Sequence, residues 1–477
     1  MKLRNLLLLT VGLCGLLPVA LKAQLVTNVF VTNETDSNGT GYVNNPKFVV
    51  DSTNTGYFGV LTHDTDNNYN NELFGTSGAW NDATSFNHAF LSNMGSVNVE
   101  NSPQRVSSVA SYSTSNVVMM WYGSDYAESD SNYNGHQIHY GRFPTALPLA
   151  PATEEVPLTI SGFQTFYTEV PPYTNLYWQE HAAAAITPNQ TIGVVWEARD
   201  ASRTSGGSTY PAGSLQPGIA YMSRNSAGTW SNSGSTSTPP YLSVSAAGNS
   251  TEQSRPTIVS NSNSLVHILA YGEYTGHSNQ QILYGNLDPA TGVSSFSGWS
   301  LVHGDSNDQR HESAAIDPSG NVHVVWREIV ASPFTVTVYY SMRSASTGTW
   351  STPVAVSDAG MWGSTPVVSA DSSTVRVAWI EWNGSSGFVN SLDVANNGIT
   401  STDYGDDDVV EGNLMFSSKP NGSGSFSTPV KEVSDLAAYP NFAVGATTGL
   451  IFELWYGGCT TYPFTGCTAT VRLGQTH

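Results

Sequence analysis

The sequence predicts an all-β protein: a seven-bladed β-propeller of four-stranded antiparallel blades, its ring closed by a strand from the N-terminal region. Three observations lead there. An apolar strand ending in tryptophan recurs as NVVMMWYG, IGVVWEA, VHVVWRE, VRVAWIE and IFELWYG, around Trp121, Trp196, Trp326, Trp379 and Trp455. Short strand-like runs alternate with Gly-, Asn- and Ser-rich turns, without helical periodicity. The last repeat stops one strand short, at TATVRLGQTH, while LVTNVFVT near the start is one strand to spare.

From the N-terminus, Lys2 and Arg4 precede the apolar run Leu6–Leu21, and Leu21-Lys22-Ala23 gives small-residue spacing before Gln24. That pattern predicts a signal peptide over residues 1–23, a mature domain over 24–477, and a secreted protein, extracellular or periplasmic. The run is short for a bilayer and contains Pro18, and no later stretch is apolar enough, so no membrane insertion is expected. The spare strand comes next, and then the repeats. VHILAYGE around Ala270 and YFGVLTH around Leu61 complete seven copies of the central strand.

Each copy has the same neighbours. A first apolar strand precedes it: PKFVVDS, VSSVASY, AAAAITP, PTIVSNS, SAAIDPS, PVVSADS and NFAVGAT. A third strand follows a variable loop: ELFGTS, IHYGRF, IAYMSR, ILYGNL, VYYSMR, NLMFSS and ATVRLG. TPVAVSD and TPVKEVSD typify the fourth. Pairing the spare strand with the last repeat would close the ring and remove the exposed sheet edges.

Composition narrows the partners. The chain has 17 Lys and Arg against 37 Asp and Glu, a formal charge of −20. Lys2, Arg4 and Lys22 all fall in the leader, so the mature domain is more acidic still. This disfavours nucleic acid and anionic membrane surfaces. Charged residues are 11% of the chain, against about 25% in ordinary globular domains, which suits polar, uncharged extracellular loops. A monomer is expected. Cys459 and Cys467 bracket CTTYPFTGC, which in an exported protein predicts a local disulfide, contributing roughly 2–3 kcal/mol on the chain-entropy view. The alternative is a redox or metal pair, with no histidine nearby.

In a propeller, the start of each first strand and the end of each second strand share one face of the ring. The first-strand positions there read Lys47, Arg105, His181, Arg255, His311, Ser364 and Tyr439. The second-strand exits include Glu197, Glu273, Glu328 and Glu381. Crowded charges are costly unless paired or solvated. Such a mixed mouth points either to internal ion pairs or to a polar, anionic ligand. Aromatic residues in the loops of this face, with Trp382, Tyr126, Tyr133 and Tyr210 as candidate platforms, suit the C–H faces of sugars. The expected function is therefore a carbohydrate-binding or surface-interaction protein for an anionic glycan. The alternative is glycan cleavage, with His181, His311 and Glu328 as catalytic candidates. The recurring tryptophans read as wedges between blades, and His267 and His323, in mid-strand, as outward-facing. No cofactor is expected. Calcium stays open: Asp64, Asp66 and Asn68 alternate as in a calcium loop, although Tyr69 stands where glycine belongs, and residues 402–408 form a second oxygen-rich cluster.

Units such as HESAAIDPSGNVHVVWRE followed by VYYSMRSASTGTWS resemble those of bacterial sialidase-like propellers, the group that includes the BNR-repeat proteins. SRNSAGTW is similar to that group's Asp-box, with Ser223, Asn225 and Trp230 in place and Ala227 at the glycine position. The resemblance implies the propeller fold over nearly all the mature chain. Sialidases of the group hold the substrate carboxylate with three arginines and use a Tyr–Glu pair and an Asp. Arg105 and Arg255, with Arg310 or Arg327, are the arginines it would assign. Related propellers serve as polysaccharide lyases and rhamnosidase-like hydrolases, some using a mouth histidine, which would assign His181 and His311.

Overall fold

The computed structural model describes residues 177–200, 265–331, 334–382 and 412–444 continuously, and elsewhere the strands named below with segments 218–231 and 241–242. Residues 1–23, Cys459 and Cys467, residues 64–68 and 402–408, and Tyr126 and Tyr133 lie outside the described residues.

Among the described residues the chain is all-β, with one 3-10 turn at Gly292–Ser295 and no α-helix. No helix among them is long and apolar enough to cross a membrane. Strand β1 (Val29–Thr32) precedes a sheet of β2 (Asn44–Val50), β3 (Thr55–His63), β4 (Tyr69–Ser77) and β5 (Asn87–Phe90). The next sheet holds β6 (Arg105–Ser111), β7 (Asn116–Gly123) and β8 (Gln137–Pro144). A third holds β9 (Tyr177–Ile186) and β10 (Ile192–Asp200). After the small hairpin β11 (Arg203–Ser205) and β12 (Ser208–Tyr210), β13 (Gly218–Arg224) completes it. Two four-stranded sheets follow. One is β14 (Gln253–Ser260), β15 (Val266–Gly272), β16 (Gln281–Leu287) and β17 (Ser300–Leu301). The other is β18 (Asp308–Ile316), β19 (Val322–Ala331), β20 (Phe334–Arg343) and β21 (Val354–Ala355). The last sheet runs β22 (Trp362–Ala370), β23 (Thr374–Trp382), β24 (Gly412–Pro420), β25 (Val430–Val444), β26 (Ile451–Gly457) and β27 (Thr470–Thr476), with β1 added at its edge.

All these pairings are antiparallel between consecutive strands, except that β1 pairs with β27 and β10 skips the small hairpin to reach β13. The segments TPVKEVSD and NFAVGAT, read in the sequence as two strands, are one: β25 pairs with β24 through its first half and with β26 through its second. Between sheets, β2 lies against β6, β6 against β9, β9 against β14, β14 against β18, β18 against β22, β22 against β25, and β25 against β2.

The recurring tryptophans explain how the sheets stack. Trp196, Trp326 and Trp379 are at most 2% exposed. Each packs on the sheet before its own: Trp196 with Val118 and Met120, Trp326 with Leu269 and Tyr284, Trp379 with Val325 and Tyr340. Large aromatic wedges of this kind carry much of a core's packing energy.

His267 and His323 are not outward-facing, as their mid-strand positions suggested; both are buried. Their Nδ1 atoms meet Tyr284 and Tyr340 hydroxyls at 2.7 and 2.8 Å. The next sheet covers each tyrosine twice. Arg343 and Trp350 cap Tyr284, and Lys419 and Phe426 cap Tyr340. Polar strand residues are tolerated inside because each finds a partner. Burial, then Arg343, holds the His267 imidazole down to about 4. Burial likewise lowers His323, against the pull of Asp317. In the unfolded chain such imidazoles titrate near about 6.5. The unfolded chain therefore binds more protons between these values, and stability falls as the pH drops from about 6.5 to about 4, on the order of 3 kcal/mol for His267 alone. Urea unfolding at several pH values checks this. His267→Gln is expected to flatten the acid side of the curve relative to wild type, and an unchanged slope would contradict the assignment.

Candidate functional site

The mouth residues are placed by a repeated irregularity. In each pairing of a first strand with its second (β2–β3, β6–β7, β9–β10, β14–β15, β18–β19, β22–β23 and β25–β26), the register slips by one residue near the start of the first strand. Two residues there oppose one on the neighbour, which is a β-bulge. His181 and Ala182 thus face Trp196, Arg255 and Pro256 face Ala270, His311 and Glu312 face Trp326, and Thr365 and Pro366 face Trp379. The first residue of each pair has a positive φ: 52° at His181, 49° at Arg255, 55° at His311 and 44° at Thr365. A left-handed backbone costs a non-glycine residue about 1–2 kcal/mol. Strain repeated at one level of four sheets marks that level as a functional candidate.

The bulge also changes which residues are level with one another. Asn45, Val106 and Tyr439 occupy the His181 position in their sheets. Lys47 lies two residues further along its strand, opposite Gly59, and Arg105 lies one residue earlier, opposite Tyr122. The Arg105 and Trp382 side chains lie outside the described residues, as does that of Tyr210; in the backbone register Trp382 faces Trp362.

Five of the sequence-derived residues come together. His181 Nδ1 meets Glu197 Oε2 at 3.2 Å, and the same oxygen accepts the backbone N–H of Arg255 at 3.3 Å. Lys47, from a non-adjacent sheet, lies within the field of Arg255. Burial and then that guanidinium bring its ammonium down to about 8. His311 stacks on Tyr271, with ring centroids 6.1 Å apart and planes 4° from parallel. Burial pushes the Tyr271 phenol up to about 12, with Arg255, Glu197, Arg310 and Glu312 all acting on it. Tyr271 thus lies in the field of two cations and two carboxylates.

The four glutamates are not equivalent. Glu197 directly follows the residue opposite the bulge, as do Tyr271 and Arg327. All three reach the following sheet: Glu197 to Arg255, Tyr271 to His311, and Arg327 Nη1 to Ser364 Oγ at 3.3 Å. Glu328 and Glu381 come one residue later, and strand alternation puts them on the opposite face. Glu328 accepts from Asn307 Nδ2 at 2.9 Å and lies near Gln309. Burial, then Asp305, brings its carboxyl up to about 7. Burial also raises Glu381, where the Trp379 indole opposes the shift and Asp358 adds to it. Glu273 follows β15 and is half-buried.

Two features of the cluster were not read from the sequence. Arg310 is held in a two-pronged ion pair with Asp308, at 2.7 and 2.9 Å, so its charge is already matched. Glu312 is 8% exposed, and neither carboxyl oxygen meets a hydrogen-bond partner of good geometry. Burial holds it well above the usual carboxylate range, against its own backbone N–H and then Arg255, which pull it down. The signal was present: the same bulge position carries Pro46, Ser107, Ala182, Pro256, Pro366 and Pro440 elsewhere. Among the described residues no group of three or more His, Cys, Asp or Glu is arranged to hold a metal ion.

No protein-family model matches the chain, and no match is found among curated proteins. Solved structures do match. Against the polysaccharide lyase Uly1 the chain has 9% identity over 96% of its own length and 93% of the lyase, with a TM-score of 0.48. Against the NanB sialidase from Streptococcus pneumoniae the values are 11%, 94%, 70% and 0.46. Against the Trypanosoma rangeli sialidase they are 8%, 95%, 58% and 0.45, so the chain spans just over half of that protein. Likeness at this level assigns no chemistry to the chain.

Proposed function

We propose that this chain is an exported seven-bladed β-propeller that binds an anionic sugar at the mouth of its ring. The ring reading is supported by the contacts that return from β25 to β2, and by β1 serving as the outer strand beside β27. Export rests on the leader over residues 1–23, and the acidic surface makes nucleic acid an unsuitable partner.

One observation carries the ligand reading. Lys47 and Arg255 come from sheets not adjacent to each other, and the Lys47 ammonium is held down first by burial and then by the Arg255 guanidinium. No carboxylate among the described residues forms an ion pair with Lys47. Two cations drawn together under partial burial repel each other, and an anion between them would relieve that repulsion. A sugar carboxylate or sulfate fits, because guanidinium and ammonium groups both make strong charge-assisted bonds to such oxygens. His181 and His311 provide rings and polar atoms for the sugar itself, with the buried Tyr271 ring stacked beneath His311.

A glycan array carrying uronate, sialylated, sulfated and neutral sugars tests this, with the products examined by mass spectrometry. Acidic glycans are expected to be retained over neutral ones, and retention should fall as the pH rises through about 8, where Lys47 loses its proton. Equal retention of neutral glycans would overturn the reading. A second reading, glycan cleavage, is favoured by the Tyr271–His311 stack beside Glu312. Product masses matching cleaved glycans would establish it.

A further inference from the structure

Glu197 differs from the side chains at its position in the two sheets that follow. There, Tyr271 reaches the His311 ring and Arg327 reaches Ser364 Oγ, each in the next sheet. Glu197 reaches the next sheet and its own first strand with a single oxygen. Oε2 meets His181 Nδ1 at 3.2 Å on β9 and accepts the backbone N–H of Arg255 at 3.3 Å on β14. Both partners are the first residue of a bulge, with φ of 52° and 49°. Left-handed backbone at a non-glycine residue persists where its surroundings over-determine it, and a carboxylate aimed at both residues does so. Glu197 itself is covered. Its side chain is 5% exposed against 16% for His181, so a ligand entering the mouth would meet His181 first.

We propose that Glu197 is a positioning residue of the mouth: its carboxylate holds the His181 ring and the Arg255 bulge as one unit and acts on a bound sugar only through them. The inference rests on the anionic-sugar reading above and on the two bonds that Glu197 makes. An ionised carboxylate only accepts hydrogen bonds. His181 therefore donates through Nδ1, which fixes its ring in one tautomer and one orientation. The bulge takes Arg255 out of the β14–β15 ladder, and its N–H turns to Glu197 instead. Strands β9 and β14 belong to different sheets, and no ladder joins them. The shared carboxylate sets the separation between the His181 ring and the Arg255 backbone, and with it the width of this side of the mouth.

Two variants of the full chain separate reach from charge. Glu197→Gln keeps the reach and a carbonyl oxygen that can accept both bonds, and loses the charge. Glu197→Asp keeps the charge and is one methylene too short to meet both partners. Each is titrated with glucuronic acid by calorimetry beside wild type. Thermal unfolding, and nitrogen-15 NMR of His181 at a pH where its ring is neutral, are measured on the same samples. Wild type is expected to carry the imidazole proton on Nδ1. Glu197→Gln is expected to keep it there and to recover most of the wild-type affinity. Glu197→Asp is expected to lose the fixed tautomer and on the order of tenfold in affinity, the size of one net hydrogen bond, while its thermal midpoint moves little. Weak binding by Glu197→Gln with tight binding by Glu197→Asp would mean that the charge acts directly, and would overturn the positioning role. Wild-type affinity in both variants, losses that track thermal stability in both, or a wild-type His181 proton on Nε2 alone would overturn it too. Each of these results leaves the anion site standing. Failure of wild type to bind glucuronic acid would overturn the anion site and this inference with it.

Discussion

Arg255→Ala is expected to weaken binding of glucuronic acid by roughly 10- to 150-fold, the range that corresponds to losing a hydrogen bond to a charged group. Binding of glucose should change little. The prediction follows from how Arg255 is held. The backbone N–H of Arg255 is fixed by Glu197, and His181 shares that carboxylate. The backbone bond survives truncation of the side chain, so the mouth keeps its shape while losing its guanidinium. Burial is the larger influence that lowers Lys47 and stays in the variant, but loss of the Arg255 repulsion should let the ammonium titrate above about 8. Equal losses for glucose and glucuronic acid would mean that Arg255 supports the fold rather than the anion. Competition calorimetry with the two sugars separates these outcomes.

Trp379→Ala is expected to have the largest effect on stability, a loss of about 3–5 kcal/mol. The side chain is fully buried between Val325, Val338 and Tyr340 on one side and its own sheet on the other. Removing it leaves a cavity between two sheets, each stiffened by its own backbone ladder, so little collapse can offset the loss. Guanidinium unfolding followed by fluorescence measures it. A loss below about 1 kcal/mol, the size typical of surface changes, would show that the tryptophan is not a wedge. Trp326→Ala should behave alike, because Trp326 fills the same position against Leu269 and Tyr284.

The strand order and the wedges were legible because they are periodic. An alternating run that ends in tryptophan recurs with the same neighbours, and burial on one face of a strand repeats every second residue. The exact level of each mouth residue was not legible, because a bulge inserts a residue without any mark in the hydrophobic pattern. Counting from the start of the apolar run set Lys47 beside His181, whereas the register puts Asn45 there. The same loss of phase made Glu197, Glu328 and Glu381 look equivalent, although they divide between two faces of their sheets. His267 and His323 were misread for a different reason. Their partners, Tyr284 and Tyr340, lie 17 residues away on the next strand, and no local pattern shows that a buried imidazole will find a hydroxyl. Glu312 was visible only once the bulge had aligned it with the prolines and alanine of the other sheets.

The most direct test of the proposed anion site is the titration of Lys47 itself, followed by carbon-13 NMR of labelled lysine with and without glucuronic acid. The account predicts that Lys47 titrates near about 8 in the free protein. By linkage, its value should rise when the sugar binds, because an anion favours the charged ammonium. A Lys47 that titrates near the ordinary value of about 10.4, and does not respond to glucuronic acid, would contradict it.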